Sequence, residues 1–309
     1  MLAINKKLNK RAFVLVKFPK TGLGNMLFVW AKAFVFANLN SFELIVDRWW
    51  GFRWGALLRN EQRKRLYWQY FIETPSLEII RANNAMKTQK VIKEPDIVSL
   101  TDAAMKKGEI YLFDQVMTDP DLFYSLRSHQ SNIKKELFRM LHPKQKRRLK
   151  KYINPIIGIH VRRGDFKLGS IITPIDFYTK GINIIRNLIG EDIPVTIFTD
   201  ATNDEISELL DLPQVSVAEK KSDILDILLL SNSKILFLSA TSTFSYWAAF
   251  LSDAFVIRPT NDWLTLIKEN EDGAGYFDIK WDFNNTESEL ILKKSFENWH
   301  LKQPLYNES

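Results

Sequence analysis

Residues 157–166 read IGIHVRRGDF, in which a short apolar run gives way at once to charged side chains. Ile157 and Ile159 are β-branched, and a continuous apolar run of this kind is typical of a strand covered on both faces, as in a parallel sheet. Arg162 and Arg163 follow at its carboxyl end, the edge of an open parallel sheet where ligands bind, especially where the strand order reverses. Two guanidinium groups at such an edge predict a site for an anion.

The segments after residue 166 continue an alternation of helices and strands, which predicts a parallel sheet covered by helices. The predicted segments are a helix at 174–189 (PIDFYTKGINIIRNLI), a strand at 195–200 (VTIFTD), a helix at 204–210 (DEISELL), a helix at 222–232 (SDILDILLLSN), a strand at 234–239 (KILFLS) and a helix at 244–252 (FSYWAAFLS).

The beginning of the chain predicts a second unit of the same kind. A strand (AFVLVKF, 12–18), a glycine turn (PKTGLGN, 19–25), a helix (MLFVWAKAFVFANLN, 26–40) and a strand (FELIVD, 42–47) follow one another. Such a βαβ start is typical of a Rossmann-like half. Between 48 and 150 we predict helical segments around EQRKRLYWQYF (61–71) and HQSNIKKELFRML (129–141), with irregular pieces between them.

A chain of 309 residues suits two domains of ordinary size. We place the boundary near the basic stretch at 144–154, which gives domains 1–154 and 155–309. The predicted fold is α/β and GT-B-like, with two Rossmann-like domains facing each other across a cleft. The pattern alone equally allows other two-domain α/β enzymes.

Composition indicates a globular protein that favours anionic partners. Hydrophobic residues make up 46% and charged residues 26%, which excludes a disordered composition. Lys and Arg number 43 against 36 Asp and Glu, and the net charge of +7 favours anionic ligands or an acidic membrane surface. The basic run KQKRRLKK (144–151) has no interleaved aromatics, so we expect a solvated helix face and no nucleic-acid arm. Contact with anionic lipid headgroups stays open.

The chain contains no cysteine, which excludes disulfides and thiolate metal sites and permits a reducing compartment. It shows no secretory signal region and no span of about 18 apolar residues. We therefore expect a soluble, cytoplasmic protein that is either free or peripheral to a membrane.

The stretch TGLGN (21–25) places a G-x-G motif between a strand and a helix, where the backbone can approach a ligand closely. Gly24 and Asn25 are the candidate residues. Leu27 stands where a dinucleotide-binding fingerprint has its third glycine, so an NAD site is disfavoured. A plain tight turn explains the glycines equally well.

Arg162 and Arg163 can meet phosphate oxygens in bidentate fashion and stay charged at any working pH. Asp165 is placed to orient an arginine or to take a proton. The alternative is a surface turn with a salt bridge. An Arg-Gly-Asp adhesion signal at 163–165 is disfavoured in a cytoplasmic protein.

The stretch FLSATSTFSYWAAFLS (237–252) gathers hydroxyl side chains between a strand and a helix, namely Ser239, Thr241, Ser242, Thr243 and Ser245. Hydroxyls and free N–H groups at a helix amino end form a phosphate cradle. The alternative is a single N-cap with spare polar loop residues. Asp200 ends the predicted strand at 195–200, and Thr202 and Glu205 after it have capping-box spacing.

Together these blocks resemble the α-1,2-fucosyltransferases of glycosyltransferase family 11, bacterial members in particular. TGLGNMLFVWA resembles a family pattern near GGLGNQMFQYA, HVRRGDF resembles HxRRGDY, and the stretch at 228–252 resembles one that ends in NSSFSWWAAWL. The resemblance covers residues 13–258. Met26, Ala240 and Thr241 depart from the pattern, and 48–150 matches least, so we expect acceptor contacts there.

The resemblance implies an inverting, metal-independent transfer of L-fucose from GDP-fucose to a sugar hydroxyl, with an α-1,2 linkage to galactose of a glycan such as lipopolysaccharide or O-antigen. Residues 1–154 would form the acceptor side and 155–309 would bind GDP-fucose. GDP-fucose is then a donor substrate, and no cofactor or metal is expected. The four histidines lack metal-ligand spacing, and DPD (119–121) is predicted to be a turn or helix start instead of a D-x-D metal site.

The resemblance also implies roles for single residues. Arg162, Arg163 and Asp165 are the catalytic candidates: the arginines bind the diphosphate, and Asp165 is the general base or an ion-pair partner. Asp226 is expected to reach the guanine, with an exposed helix carboxylate as the alternative. Asn25, across the cleft, would hold the acceptor or the β-phosphate. The other donor-binding candidates are His160, Gly24, Asp200, Ser242, Thr243, Phe244 and Ser245.

Three other functions remain to be separated from this one. Another GDP-sugar GT-B enzyme with a different linkage fits the same residues. A kinase or sulfotransferase is disfavoured, since the chain has no G-x-x-x-x-G-K-[ST] loop. A non-catalytic carbohydrate-binding protein on the same fold is the third. The aromatic stretch DRWWGFRWG (47–55) can stack on sugar rings in any of these proteins, although packing is the commoner fate of such aromatics.

Overall fold

The computed structural model describes residues 12–50, 67–94, 108–164, 171–269, 275–303 and 305. The chain divides into two compact units, an N-terminal unit of Met1–Lys146 and a C-terminal unit of Arg147–Ser309. Each unit has its own parallel sheet, so the predicted α/β class is confirmed. Among the described residues, no helix is both long and apolar enough to cross a membrane.

The N-terminal unit is built on four parallel strands, β1 (Phe13–Val16), β2 (Glu43–Val46), β3 (Val91–Lys93) and β4 (Ile110–Phe113), in the order β2-β1-β4-β3. The central strands β1 and β4 are fully buried because both faces of the sheet are covered. The helices are α1 (Leu23–Leu39), α2 (Ser76–Ala85) and α3 (Gln130–Met140), and α4 (Pro143–Leu149) continues from this unit into the next.

Two predictions in this unit need correction. Helix α1 begins at Leu23, so Gly24 and Asn25 lie in its first turn and not in the loop before it. The predicted helix at 61–71 is wrong over its described part, because residues 67–71 form a turn and an isolated bridge from Phe71 to Leu141. The prediction of α3 is confirmed.

The C-terminal unit contains six parallel strands in the order β10-β9-β8-β5-β6-β7. They are β5 (Ile157–Val161), β6 (Val195–Thr199), β7 (Val215–Val217), β8 (Ile235–Phe237), β9 (Phe255–Pro259) and β10 (Phe277–Trp281). The helices are α5 (Ile175–Ile189), α6 (Ser207–Leu210), α7 (Asp223–Ser231), α8 (Thr243–Leu251) and α9 (Thr286–Lys302). The strands and helices predicted after residue 156 are confirmed.

Strand β5 lies at the centre of this sheet, between β6 and β8. The chain adds β6 and β7 on one side of β5 and then returns to add β8, β9 and β10 on the other, so the strand order reverses at β5 and β8. A side chain at Gly158 would place its Cβ 2.2 Å from Ser233 Oγ, so only glycine lets the turn before β8 pack against β5. The reversal puts the carboxyl ends of β5, β6 and β8 side by side, where open α/β sheets bind ligands.

Candidate functional site

The two arginines stand at the carboxyl end of β5, and one carboxylate from the neighbouring strand holds both. Asp200 directly follows β6, and its Oδ2 lies 2.6 Å from Arg162 Nη1. Its Oδ1 accepts a 2.8 Å hydrogen bond from the backbone N–H of Arg163. The paired side chains of Arg162 and Asp200 are 27% and 31% exposed, so solvent screens the pair and its contribution to stability is about 0–1 kcal/mol. The pair therefore serves mainly to orient Arg162.

Gly164 is required by the same carboxylate. A Cβ at this position would lie 2.3 Å from Asp200 Oδ2, so the carboxylate would have to move away from the arginines. The glycine of the HVRRGDF block thus leaves room for the carboxylate that orients the arginines.

Arg163 is a buried cation that lacks a compensating anion among the described residues. The residue is 7% exposed, and its Nη1 donates a 3.0 Å hydrogen bond to the carbonyl oxygen of Arg162. Within the described part of the chain, no carboxylate forms an ion pair with its guanidinium. Burying a charge without a partner costs several kcal/mol, so a site of this kind favours a bound anion.

His160 joins β5 to the first turn of α8. Its Nδ1 lies 2.6 Å from Ser245 Oγ, and its ring stacks on Phe244 with centroids 4.8 Å apart. His160 and Ser245 are buried, whereas Phe244 is partly exposed. These contacts fix the amino end of α8 against the end of the arginine-bearing strand.

A hydroxyl pair supports the backbone beneath the arginines. Ser239 Oγ donates to the carbonyl oxygen of His160 at 2.8 Å and accepts from the N–H of Arg162 at 2.9 Å. The Tyr178 hydroxyl also donates to that carbonyl, at 3.2 Å, and lies 2.9 Å from Ser239 Oγ. Burial raises the pKa of Tyr178 to about 12, so its hydroxyl keeps its proton. Ser239 is therefore occupied inside the protein and does not serve in a phosphate cradle.

The amino end of α8 completes the edge of the sheet. Ser242 is its extended N-cap residue; among the described residues no side chain makes a capping hydrogen bond there, and the first turn carries no acidic residue. Thr243 is partly exposed beside it. Thr241 has a φ of 58°, a left-handed conformation that is uncommon for a β-branched residue. The helix therefore presents a positive dipole end at which an anion is stabilised.

A buried ionic network holds α8 against β9 and the segment that follows β9. Arg258, in β9, pairs with Asp262 at 3.0 Å and with Asp278 at 2.7 Å. Asp262 also accepts a short hydrogen bond from the Tyr246 hydroxyl, in α8, and its carbonyl accepts from Lys280 Nζ at 2.7 Å. Burial, together with Asp262, raises the pKa of Tyr246. Burial also raises the pKa of Asp278, an effect that Arg258 opposes. The network ties α8 to the segment after β9.

Asp226 lies on α7 and is 5% exposed. Every residue of α7 is buried, and the helix packs against α8 and β5. The alternative of an exposed helix carboxylate is therefore wrong. Burial of a carboxylate on a helix that contacts the site elements is compatible with a role in binding a base, which stays a prediction.

In the N-terminal unit, Gly24 is buried in the first turn of α1, and Asn25 Nδ2 donates to Thr21 Oγ1 at 2.8 Å. Gly22 is the N-cap residue, and within the described residues no side chain caps α1. A Cβ at Gly22 would meet nothing within 4 Å, so internal packing does not require this glycine.

The DPD stretch at 119–121 and Asp165 are the two remaining candidate sites with carboxylates. Asp119 and Asp121 lie in a turn: Asp119 accepts from the Ser125 N–H at 3.2 Å, and Asp121 pairs with Arg127 at 2.6 Å. The predicted turn is confirmed. No cluster that could hold a metal ion occurs among the described residues. Asp165 lies outside the described residues.

Sequence reasoning missed three residues that shape the site. Tyr178 and Arg258 support it as described above, and Thr173 Oγ1 accepts a 2.9 Å hydrogen bond from the N–H of Ala240. Tyr178 and Thr173 contact elements that are distant in sequence, and Arg258 pairs both with nearby Asp262 and with Asp278 in the neighbouring strand. No local motif marks them. Only the strand order would have indicated them.

These features define the class of the protein as an α/β protein of the GT-B-like type, with two arginines at the strand reversal of its second sheet. Comparison with known proteins identifies the family. The profile described as Glycosyl transferase family 11 matches residues 72–272, and the chain belongs to this family of glycosyltransferases.

Individual relatives are more distant. The chain is 29% identical over 115 residues to the O-antigen biosynthesis glycosyltransferase WbnK of Escherichia coli, and the match covers 33% of this chain and 37% of that protein. The structure of an Arabidopsis thaliana FUT1 mutant in complex with GDP matches with a TM-score of 0.52 and 14% identity over 84% of this chain and 75% of that chain. An apo structure of POFUT1 matches with a TM-score of 0.50 and 11% identity over 80% and 95%. These structures support the fold.

Proposed function

We propose that the protein transfers L-fucose from GDP-fucose to a sugar hydroxyl with inversion at the anomeric carbon. Membership of glycosyltransferase family 11 supports the reaction class. The observation that carries the donor assignment is Arg163, a buried guanidinium without a described carboxylate partner, beside Arg162 and the amino end of α8. A diphosphate supplies the anionic charge that this edge lacks.

In the proposed step, an oxygen of the acceptor attacks the anomeric carbon of fucose as the bond from that carbon to the β-phosphate oxygen breaks. The electron pair of the broken bond leaves with GDP, whose terminal phosphate gains charge. Arg162 and Arg163 stabilise that charge, and more so in the transition state than in the bound donor. The acceptor hydroxyl loses its proton to a carboxylate, for which Asp165 is our candidate.

The remaining donor contacts are divided among three elements. Ser242, Thr243 and the first-turn N–H groups of α8 offer donors to phosphate oxygens. His160 and Phe244 stack on each other and border the carboxyl edge of the sheet, and Ser245 positions His160 through its hydroxyl. Asp226 accepts from the guanine base, and Asp200 holds the arginine pair.

The acceptor is a glycan, and the linkage we propose is α-1,2 to galactose. The similarity to an O-antigen biosynthesis glycosyltransferase supports a bacterial surface glycan as the acceptor. In the N-terminal unit, Gly24 and Asn25 at the amino end of α1 are proposed to contact a phosphate or an acceptor hydroxyl. We expect the reaction to need no metal ion, because arginines and helix N–H groups supply the positive charge.

Purified protein and labelled GDP-fucose test this proposal. We expect slow hydrolysis of GDP-fucose alone and transfer to a galactose-terminated oligosaccharide, with linkage analysis of the product giving α-1,2. Arg162→Lys and Arg163→Lys should fail nearly as badly as the alanine variants, because a point charge cannot reproduce the planar fork. Activity should persist in excess EDTA. Strict dependence on Mg²⁺ or Mn²⁺, or full turnover by either lysine variant, contradicts the proposal.

We also propose peripheral contact of a cytoplasmic protein with an anionic membrane surface. The basic run 144–151 includes exposed Lys144, Arg147, Lys150 and Lys151, and Ile153 beside it is 94% exposed. Cations bind anionic headgroups and an exposed apolar side chain enters the interface. Co-sedimentation with phosphatidylglycerol vesicles, but not with phosphatidylcholine vesicles, is the expected result. Equal binding to both, or to neither, contradicts it.

A further inference from the structure

The N-terminal unit contains a cavity whose lining residues have no role in the site described above. It has a volume of about 390 Å³ and is lined by Arg48, Trp50, Trp68 and Glu73; we call it the tryptophan pocket. This volume falls within the range of small-molecule pockets, roughly 300–1,000 Å³. The pocket lies beyond the carboxyl end of β2, the side of a parallel sheet that binds ligands.

Backbone contacts bring the two tryptophans together. The N–H of Tyr67 donates to the carbonyl oxygen of Trp49 at 3.1 Å. Trp50 and Trp68, the next residues in the chain, therefore lie close together and line one pocket. The N–H of Val46 donates to Thr74 Oγ1 at 3.3 Å, which holds the next part of the wall against the end of β2. The walls of the pocket are thus fixed to the sheet.

The two adjacent tryptophans of the sequence have different fates. Trp49 is 2% exposed and packs between Phe18 and Phe71, with ring centroids 4.3 and 4.2 Å away. Trp50 is 54% exposed and Trp68 is 47% exposed. Packing does not explain two half-exposed tryptophan rings around one cavity. Exposed apolar groups that cluster in this way are typical of a binding site.

The polar walls of the pocket have unused hydrogen-bonding capacity. Arg48 Nη2 donates to Ser76 Oγ at 3.1 Å, and within the described residues no carboxylate pairs with its guanidinium. No described residue donates to the carboxylate of Glu73. The pocket therefore offers several donors from Arg48 and a charged acceptor from Glu73.

We propose that the tryptophan pocket binds a sugar ring of the acceptor glycan, an inference that rests on the proposed function. The apolar C–H face of a sugar stacks on indole rings, while its hydroxyls donate to Glu73 and accept from Arg48. One cation balanced by one anion suits a neutral sugar better than a nucleoside diphosphate, whose charge would meet Glu73.

Lactose, a galactose-terminated disaccharide, is the probe. Saturation-transfer NMR measures its binding to the wild-type protein and to the Trp50→Ala, Trp68→Ala and Glu73→Gln variants. Tyr124→Ala is the matched control, since Tyr124 is an aromatic residue of the same unit, 63% exposed and outside the pocket. We expect lactose binding by the wild-type and the control, and a loss of roughly tenfold in affinity in each tryptophan variant. Trp50→Phe should recover most of the binding, which shows that a fall in Trp50→Ala is not a folding defect.

Donor chemistry is measured in the same samples. GDP affinity and GDP-fucose hydrolysis should be unchanged in the tryptophan variants. The assignment is overturned by undiminished lactose binding in both tryptophan variants, by a loss of GDP affinity in them, or by a wild-type protein that does not bind lactose. If the wild-type neither binds GDP nor hydrolyses GDP-fucose, the proposed function fails, whatever the lactose result.

Discussion

Arg163 and Arg258 are both buried arginines of the C-terminal unit, and replacing each with methionine should have different consequences. Arg258 meets two carboxylates, whereas the Arg163 guanidinium donates to a single carbonyl oxygen among the described residues. Methionine has a similar length and no charge. The pair of variants therefore separates a cation that the fold uses from a cation that a ligand uses.

In Arg258→Met, the carboxylates of Asp262 and Asp278 stay buried without their cation; their side chains are 0% and 2% exposed. Removing one partner of a buried pair costs about 3–5 kcal/mol. For a unit of this size, at about 2–4 °C per kcal/mol, the melting temperature should fall by roughly 6–20 °C.

In Arg163→Met, two effects oppose each other. A hydrogen bond from a charged donor is lost, worth about 1.5–3 kcal/mol, while the desolvation of a buried cation, several kcal/mol, is relieved. We expect the free energy of unfolding without ligand to change by about 1 kcal/mol or less. GDP at about 100 times its Kd stabilises the wild-type by about 2.7 kcal/mol, and this gain should vanish in Arg163→Met.

Thermal unfolding with and without GDP, together with calorimetric titration of GDP, measures both effects. Arg258→Met should melt early but still be stabilised by GDP. Arg163→Met should melt near the wild-type temperature and not respond. Destabilisation of Arg163→Met as large as that of Arg258→Met, or a retained response of Arg163→Met to GDP, would refute the assignment of Arg163 to the ligand.

The other predictions concern three single substitutions. Gly164→Ala places a Cβ where Asp200 Oδ2 lies, 2.3 Å away, so GDP affinity should fall about tenfold by titration, and undiminished binding contradicts the role of Asp200. Asp165→Asn should lower kcat with GDP affinity intact if Asp165 is the base, whereas a weaker GDP affinity would identify it as an orienting partner. Burial raises the pKa of the Glu94 carboxyl above its ordinary value of 4.5 in the folded protein. The protonated carboxyl therefore contributes its full stability below pH 4.5, and this contribution is lost as the pH rises through the raised pKa. Urea unfolding should show that the free energy of unfolding of the wild-type, relative to Glu94→Gln, falls as the pH rises from 4.5 through the raised pKa. A rise over this pH range would show that the pKa of Glu94 is lowered.

Strands β1, β2, β5, β6 and β8 and the arginine pair could be predicted from the sequence because their signal is local. Strand β5 is a continuous apolar run rich in β-branched residues, and charges directly after it must stand at the edge of the sheet. Strands β7 and β10 are not predicted because they are less buried edge strands without a clear apolar pattern. Strands β4 and β9 are not predicted either, although both are fully buried. Strand β3, with three residues, is too short to be distinguished from a loop.

The partners of the site residues could not be predicted because they depend on strand order. Asp200 follows Arg163 by 37 residues and meets it only because β6 lies beside β5. Asp165 is the orienting carboxylate that the sequence suggests, whereas in the structure Asp200 pairs with Arg162. In the same way, a pair of adjacent tryptophans does not reveal which ring packs inside; Trp49 is buried only because Phe18 and Phe71 reach it.

Two unfavourable features coincide at the carboxyl edge of the C-terminal sheet. Thr241 keeps a left-handed backbone, which costs a β-branched residue of order 1–3 kcal/mol, just before α8. Arg163 is buried without a described carboxylate partner at the end of the adjacent β5. At β9, by contrast, the same sheet surrounds Arg258 with two carboxylates, so the fold is able to compensate a buried cation. Selection for stability alone would favour such compensation at Arg163 as well. The described residues provide no carboxylate for Arg163, although it lies beside the strained turn at Thr241. This absence supports a site at which a bound anion, and not the protein, supplies the compensating charge.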